Sequence, residues 1–196
     1  AEWPMVSIDI SQAFLKGLTF EQIQEVRGGA KRVVSMRLPV GRKGVEPSGS
    51  ALLRQIVGFE TFNDALEVLE MLKGGFGLVD APNLFTTRVD HVFKQNDMPP
   101  TLADPKLYVK HVDRVLVLMC SAHMDDFKAT GLWKWITWLL DLLKKEFGSD
   151  VKMEKESSFT HTGIRHIIAE DKTVTLDQEE YVIALKPVDV ASLKRM

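Results

Sequence analysis

The chain opens on an alternation of apolar and polar positions. Val6-Ser7-Ile8-Asp9-Ile10 reads as a short, half-buried strand, and Ser11–Gly17 as a helical turn or two closed by glycine. From Leu18 to Gly58 several glycines and two prolines break the pattern. A strand over Val33–Leu38 is expected there and otherwise mostly loop. Phe62–Leu72 fits either period, and the glycines at 74, 75 and 77 favour a strand near its end. Ala81–Gln95 places Leu84, Phe85, Val89, Val92 and Phe93 at helical spacing, with Pro82 in the first turn. Val115–Met119 is a continuous apolar run, the mark of a strand covered on both faces. His123–Asp126 interrupts it and Phe127–Thr130 resumes before Gly131, which predicts a hairpin. Leu132–Phe147 is the clearest helix, with Lys144 and Lys145 in its last turn and Gly148 as its cap. Its tryptophans, Trp133, Trp135 and Trp138, read as packing residues rather than a base-stacking platform. Strands follow at Val151–Glu154, Phe159–Ile168 and Val174–Leu176, then a helix over Gln178–Leu185. Strands interleaved with two strong helices indicate an α+β layer.

Composition sharpens this outline. With 196 residues, 45% of them hydrophobic, the chain is long enough for one sizeable core, and a single domain over 1–196 is expected. No run of about eighteen apolar residues marks a membrane span, and no basic, apolar-cored leader is visible at the start. Cys120 is the single cysteine, which excludes an internal disulfide and points to a reducing, intracellular compartment, with the thiol buried and inert. Net charge is −2, yet Arg27, Lys31, Arg32, Arg37, Arg42, Lys43 and Arg54 face only Glu46 between positions 27 and 54. Such a local field suits phosphate binding. On charge alone a solvated loop is the plainer reading.

Three aspartates carry the candidate chemistry. Asp9 interrupts a strand pattern, where an unpaired carboxylate is costly. Asp125 and Asp126 are adjacent at the expected hairpin tip, where two like charges need a counter-ion or a proton. A hard divalent cation held by oxygens meets that need. Two such ions about 4 Å apart can activate a hydroxyl and stabilise a leaving oxygen at phosphorus. An Asp-Asp pair at a turn is weak evidence alone, since aspartate favours turns. Other chemistries are set aside. There is no phosphate-binding loop of the Gly-x4-Gly-Lys-Ser/Thr kind, no recognisable nucleophile context, and no metal partner for His91 or His111. His161 and His166, five apart on one expected strand, should face opposite sides, which argues against a zinc pair.

The order of the motifs adds more. Asp9-Ile-Ser-Gln-Ala-Phe-Leu-Lys-Gly17 is followed by Gly75-Phe-Gly-Leu-Val-Asp-Ala-Pro82 opening a helix, then by an apolar strand ending in His123-Met-Asp-Asp126. This series resembles motifs A, B and C of a copia-type (pseudovirus) LTR-retrotransposon reverse transcriptase, in its palm region. Asp104–Tyr108, Phe147-Gly148, His161–Ile164, Leu176–Gln178 and Tyr181 extend the likeness. Residues 18–60 look like an enlarged basic connecting segment, and 170–196 like the start of a thumb.

The resemblance implies a polymerase-type palm: an antiparallel sheet with helices packed on one face, its fingers and thumb incomplete. It implies an RNA-directed DNA polymerase using Mg2+ or Mn2+, a primer–template of RNA or DNA, and dNTP. Asp9, Asp125 and Asp126 would be catalytic and hold metal, with the backbone carbonyl of Ile10 adding a ligand. Phe14 would be the steric gate against a 2′-hydroxyl. Gly77, Asp80, Ala81 and Pro82 would shape the nucleotide surface, and Gly163 the primer grip. Lys31, Arg32, Arg37, Arg42 and Lys43 would meet nucleic acid. Asp80 stands where the family often has glutamine, and its carboxylate should repel a triphosphate unless it points away or binds metal. His123 stands where tyrosine is usual. A second reading is a non-catalytic reverse-transcriptase-like module that binds nucleic acid or serves as a structural subunit with a protein partner.

Overall fold

The computed structural model describes residues 3–42, 46–155, 157–171 and 173–187. In chain order the elements are β1 (Met5–Ile10), a 3-10 turn (Ala13–Lys16), α1 (Phe20–Arg27), β2 (Val34–Met36), α2 (Gly49–Leu53), β3 (Leu69–Met71) and α3 (Ala81–Gln95). They continue with β4 (Leu107–Val112), β5 (Val115–His123), β6 (Asp126–Gly131), α4 (Trp133–Phe147) and β7 (Val151–Glu154). The last are β8 (Ser158–His161), β9 (Ile164–Ile168), β10 (Val174–Asp177) and α5 (Glu179–Ala184). The fold is mixed α+β with antiparallel sheets. The chain divides into two compact units: Phe14–Val89, and the described residues before Phe14 together with those from Asp90 onward. The boundary falls inside α3.

The second of these, the sheet unit, is built on five strands in the order β4-β5-β6-β1-β7, every neighbouring pair antiparallel. Alternation sorts its residues by face. Val6, Ile8 and Ile10 of β1, Leu118 and Cys120 of β5, Phe127 and Ala129 of β6, and Tyr108 of β4 are all buried. The last turns of α3 cover this face, where Phe93 meets Tyr108 and Phe127 edge-on at ring separations of 4.7 and 6.1 Å. Each ring so buried contributes about 1.5–3 kcal/mol of transfer free energy. Helix α4 packs against β5, β6 and β7, and its Ile136, Leu139, Leu143 and Phe147 are buried. Lys110, also buried, sets its ammonium 4.4 Å from the Trp138 ring and 5.3 Å from Trp135, and donates to the Asn96 carbonyl at 2.7 Å. These two half-buried tryptophans meet edge-on and hold a buried cation, whereas Trp133, also expected to be a packing residue, is exposed. Gly131 is required by close approach, since a Cβ there would lie 2.4 Å from the Val117 carbonyl oxygen. Burial pushes the pKa of the Cys120 thiol upward.

The expected strand over Phe159–Ile168 is two strands. Thr162 and Gly163 adopt φ of 52° and 75°, the doubly left-handed turn that closes a tight hairpin, and β8 and β9 pair across it in the sheet β10-β9-β8. Strand β8 lies against β1 and β6, on the sheet face opposite the helices.

The Phe14–Val89 unit is built from shorter pieces. Where mostly loop was expected, α1 forms behind a complete capping box. Thr19 Oγ1 accepts from the Gln22 N–H at 3.1 Å, and Gln22 Oε1 accepts from the Thr19 N–H at 2.9 Å. Ser48 caps α2 in the same way, accepting from the Ala51 N–H at 3.2 Å. Strands β2 and β3 pair as an antiparallel ribbon. Leu18, Phe20, Phe62, Ala81, Leu84, Phe85 and Val89 are its buried apolar residues. No described helix is long and apolar enough to cross a membrane.

Candidate functional site

Register brings the sheet unit's aspartates together. Asp9 of β1 stands opposite Asp126 of β6, Asp126 stands opposite His123 of β5, and Asp9 faces Lys152 of β7 on its other side. Partners in an antiparallel ladder share a face, so a polar row, His123–Asp126–Asp9–Lys152, crosses four strands. It lies on the face away from Ile8 and Phe127. Asp125 occupies the turn of the β5–β6 hairpin, and its carbonyl accepts from the Ile10 N–H at 3.1 Å, tying that turn to the end of β1. Met124 beside it adopts φ 55°, a left-handed conformation that a bulky residue adopts only at some cost.

Partial burial, then the charges of Asp125 and Asp126, push the Asp9 pKa above its usual value; the Ser11 hydroxyl and Lys152 pull it the other way. Asp126 is partly engaged already, accepting from the Thr162 N–H at 3.1 Å. Among the described residues no group of three or more His, Cys, Asp or Glu side chains is arranged to hold a metal ion. The donor set itself, carboxylates of which two raise the pKa of the third, Asp9, is of the hard-oxygen kind that a divalent cation takes.

One expectation about this region is overturned. His161 and His166 share a face, because the turn at Thr162-Gly163 puts them on separate strands. His166 pairs with Phe159, two residues before His161, and the two imidazoles lie 6.1 Å apart, edge to face. His166 Nδ1 lies 3.0 Å from the Ile164 carbonyl and its Nε2 lies 3.3 Å from the Lys128 ammonium. The carbonyl requires Nδ1 to carry the proton, so Nε2 accepts from the lysine. His161 is 5% exposed and its Nδ1 is buried without a partner. Burial pushes its pKa down, against the opposing pull of Asp126.

The residues expected to shape a nucleotide surface lie in the other unit. Phe14 is half-buried and meets the exposed Phe76 edge-on at 6.0 Å. Gly77 adopts φ 87°, Ala81 is buried, and Pro82 sits in the first turn of α3. Asp80 is ion-paired with Arg32, a way of masking its charge that the sequence reading did not include, and its second oxygen is buried without a partner. Of the basic cluster, Lys31 lies 3.9 Å from Glu70 and Arg54 lies 3.8 Å from Asp64. Arg37 and Arg42 are exposed, and Lys43 falls outside the described residues. Gly163 occupies the β8–β9 turn.

Sequence reasoning missed Lys152 and Thr162 as neighbours of the aspartates. Their proximity depends on strand register, which local pattern does not specify. Comparison with known proteins finds no match: no family model, no curated protein and no solved structure aligns with the chain.

Proposed function

We propose that the chain is a polymerase-type palm of the copia kind, the core of an RNA-directed DNA polymerase that transfers a nucleotide from dNTP to a primer 3′-hydroxyl. The observation that carries this reading is the pairing of Asp9 with Asp126 across β1 and β6, with Asp125 in the adjoining turn. Connectivity supports it. Along β1–α3–β5–β6–α4–β7 the first strand lies between the hairpin and the last strand, a split β-α-β-β-α-β arrangement.

In this reading Asp9 and Asp125 would hold Mg2+ or Mn2+, with Asp126 as the further carboxylate and the Ile10 carbonyl as a backbone ligand. Bound ions supply a more reactive attacking hydroxyl and a stabilised leaving oxygen. The chain's residues do the rest by position and charge. The carboxylates concentrate negative potential at one end of the polar sheet face. Asp126, held by the Thr162 N–H, couples that end to the β8–β9 turn, where Gly163 would support the primer. Phe14 would exclude a 2′-hydroxyl, and Lys31, Arg32, Arg37 and Arg42 would meet backbone phosphates. The O3′–phosphorus bond would form as the bond to pyrophosphate breaks, the hydroxyl proton passing to solvent.

A second reading is a non-catalytic module of the same ancestry, binding nucleic acid or a protein partner. It draws on the engagement of Asp126 by the Thr162 N–H. Primer extension on an RNA template with deoxynucleotides, in Mg2+ and then Mn2+, separates the two. The polymerase reading expects extension that Asp125→Asn abolishes. Folded protein that binds the duplex and extends nothing supports the module.

A further inference from the structure

A cavity of about 220 Å³ lies wholly within the Phe14–Val89 unit, away from the three aspartates in sequence and in unit. One side is a single face of α1, where Phe20, Ile23, Gln24 and Arg27 recur at i, i+3, i+4 and i+7. The first turn of α3 and the segment from Gly28 to Arg32 supply the other walls. Its floor is apolar, from Phe20, Ile23 and Leu84, and its rim carries two guanidinium groups.

Those two groups are held differently. Arg32 pairs with Asp80 and lies over the Phe20 ring at 5.5 Å. Arg27 is positioned through one nitrogen alone, Nη2, which donates to Asn83 Oδ1 at 2.5 Å and to Thr87 Oγ1 at 3.0 Å. Its other N–H donors have no protein acceptor among the described residues. The titratable side chains of the lining, Arg27 and Arg32 against Asp80, sum to +1. A guanidinium oriented by neutral groups with donors to spare is suited to a phosphate oxygen pair.

Size narrows the ligand. Sites for whole small molecules usually occupy about 300–1,000 Å³, so this cavity suits one phosphate with a single flat apolar group. We propose that it binds one nucleoside monophosphate unit, free or within a strand, with the phosphate on Arg27 and the base or sugar over the apolar floor. The inference rests on the nucleic-acid reading above only in taking the phosphate ester to be a nucleotide.

Calorimetric titration of the full chain at low salt with AMP, adenosine and inorganic phosphate tests it. AMP should bind at least about tenfold more tightly than either fragment, since it alone combines the charge-assisted contact with the apolar one. Arg27→Gln, and separately Ala30→Glu at the exposed rim, should each weaken AMP by about tenfold, while Lys145→Gln, exposed on α4 and outside the cavity, leaves it unchanged. A single-stranded oligonucleotide that displaces AMP places the unit in a strand; one that does not leaves the free nucleotide as the ligand. Equal affinity for AMP and inorganic phosphate would reduce the cavity to a bare anion site and overturn the proposal. So would equal affinity for adenosine, an equal loss in Lys145→Gln, or no binding. Asp125→Asn should abolish primer extension and leave AMP binding intact, so the cavity and the aspartate site fail or stand separately.

Discussion

The two units solve the problem of burial differently. In the sheet unit, apolar alternation along four long strands converges on one face and two helices cover it, so Phe93, Tyr108, Phe127 and Leu118 are wholly buried. In the Phe14–Val89 unit the elements are three to eight residues long apart from its share of α3, and Val40, Val57, Leu66 and Val79 stand more than 80% exposed. Long-range packing holds the first together. The second depends more on local devices: side-chain caps, a short ribbon and ion pairs such as Arg32–Asp80. The candidate chemistry follows the same division. The three aspartates stand on or beside the strand ladder, and the basic cluster stands on the unit of shorter elements.

The largest expected contrast is in stability. Phe127→Ala should cost about 3–5 kcal/mol in a chemical unfolding curve, because its ring is enclosed by Phe93 and the strands. Val57→Ala, at a residue 91% exposed, should change it by less than about 0.5 kcal/mol. Comparable losses would erase the distinction between the units. A smaller effect belongs to the capping box. Thr19→Ala should cost about 1 kcal/mol, with the loss of hydrogen-exchange protection confined to α1; a loss that spread into β1 or β6 would mean the units fold as one.

The smallest effect concerns pH. His161 in the folded sheet unit has a pKa below its unfolded value of about 6.5, so the unfolded chain binds its proton first on acidification. Its contribution to stability is therefore complete above pH ~6.5 and is lost as pH falls through the folded value. His161→Gln should flatten the acid side of a melting-temperature profile between pH ~7.5 and ~5.5. An unchanged profile would remove His161 from the account.

How much of this was legible in the sequence follows from the same contrast. Strand β1, the β5–β6 hairpin, α3 and α4 each announce themselves by periodicity, because one face of each is packed. Helix α1 does not: Phe20 is its one buried residue. Its signature is local, Thr19 and Gln22 at capping-box spacing with Gly28-Gly29 behind, and the surrounding glycines obscure it. The break at Thr162-Gly163 was hidden because threonine at positive φ is not a usual turn signal, and a continuous strand then placed the two histidines on opposite faces. At the candidate site, the aspartates stood out as charges in apolar surroundings. That Asp9 faces Asp126, with Lys152 on the other side, depends on register between strands more than a hundred residues apart in the chain. No local pattern carries that.

The central claim is that Asp9, Asp125 and Asp126 act together on a divalent ion. Titration of Mn2+, followed by the resonance signal of the free ion, tests it most directly on wild type, Asp9→Asn and Asp125→Asn. The account predicts saturable binding that weakens by about tenfold or more in each variant, with the circular dichroism spectrum unchanged. Binding of equal strength in all three proteins, or no binding to the folded wild type, would contradict it.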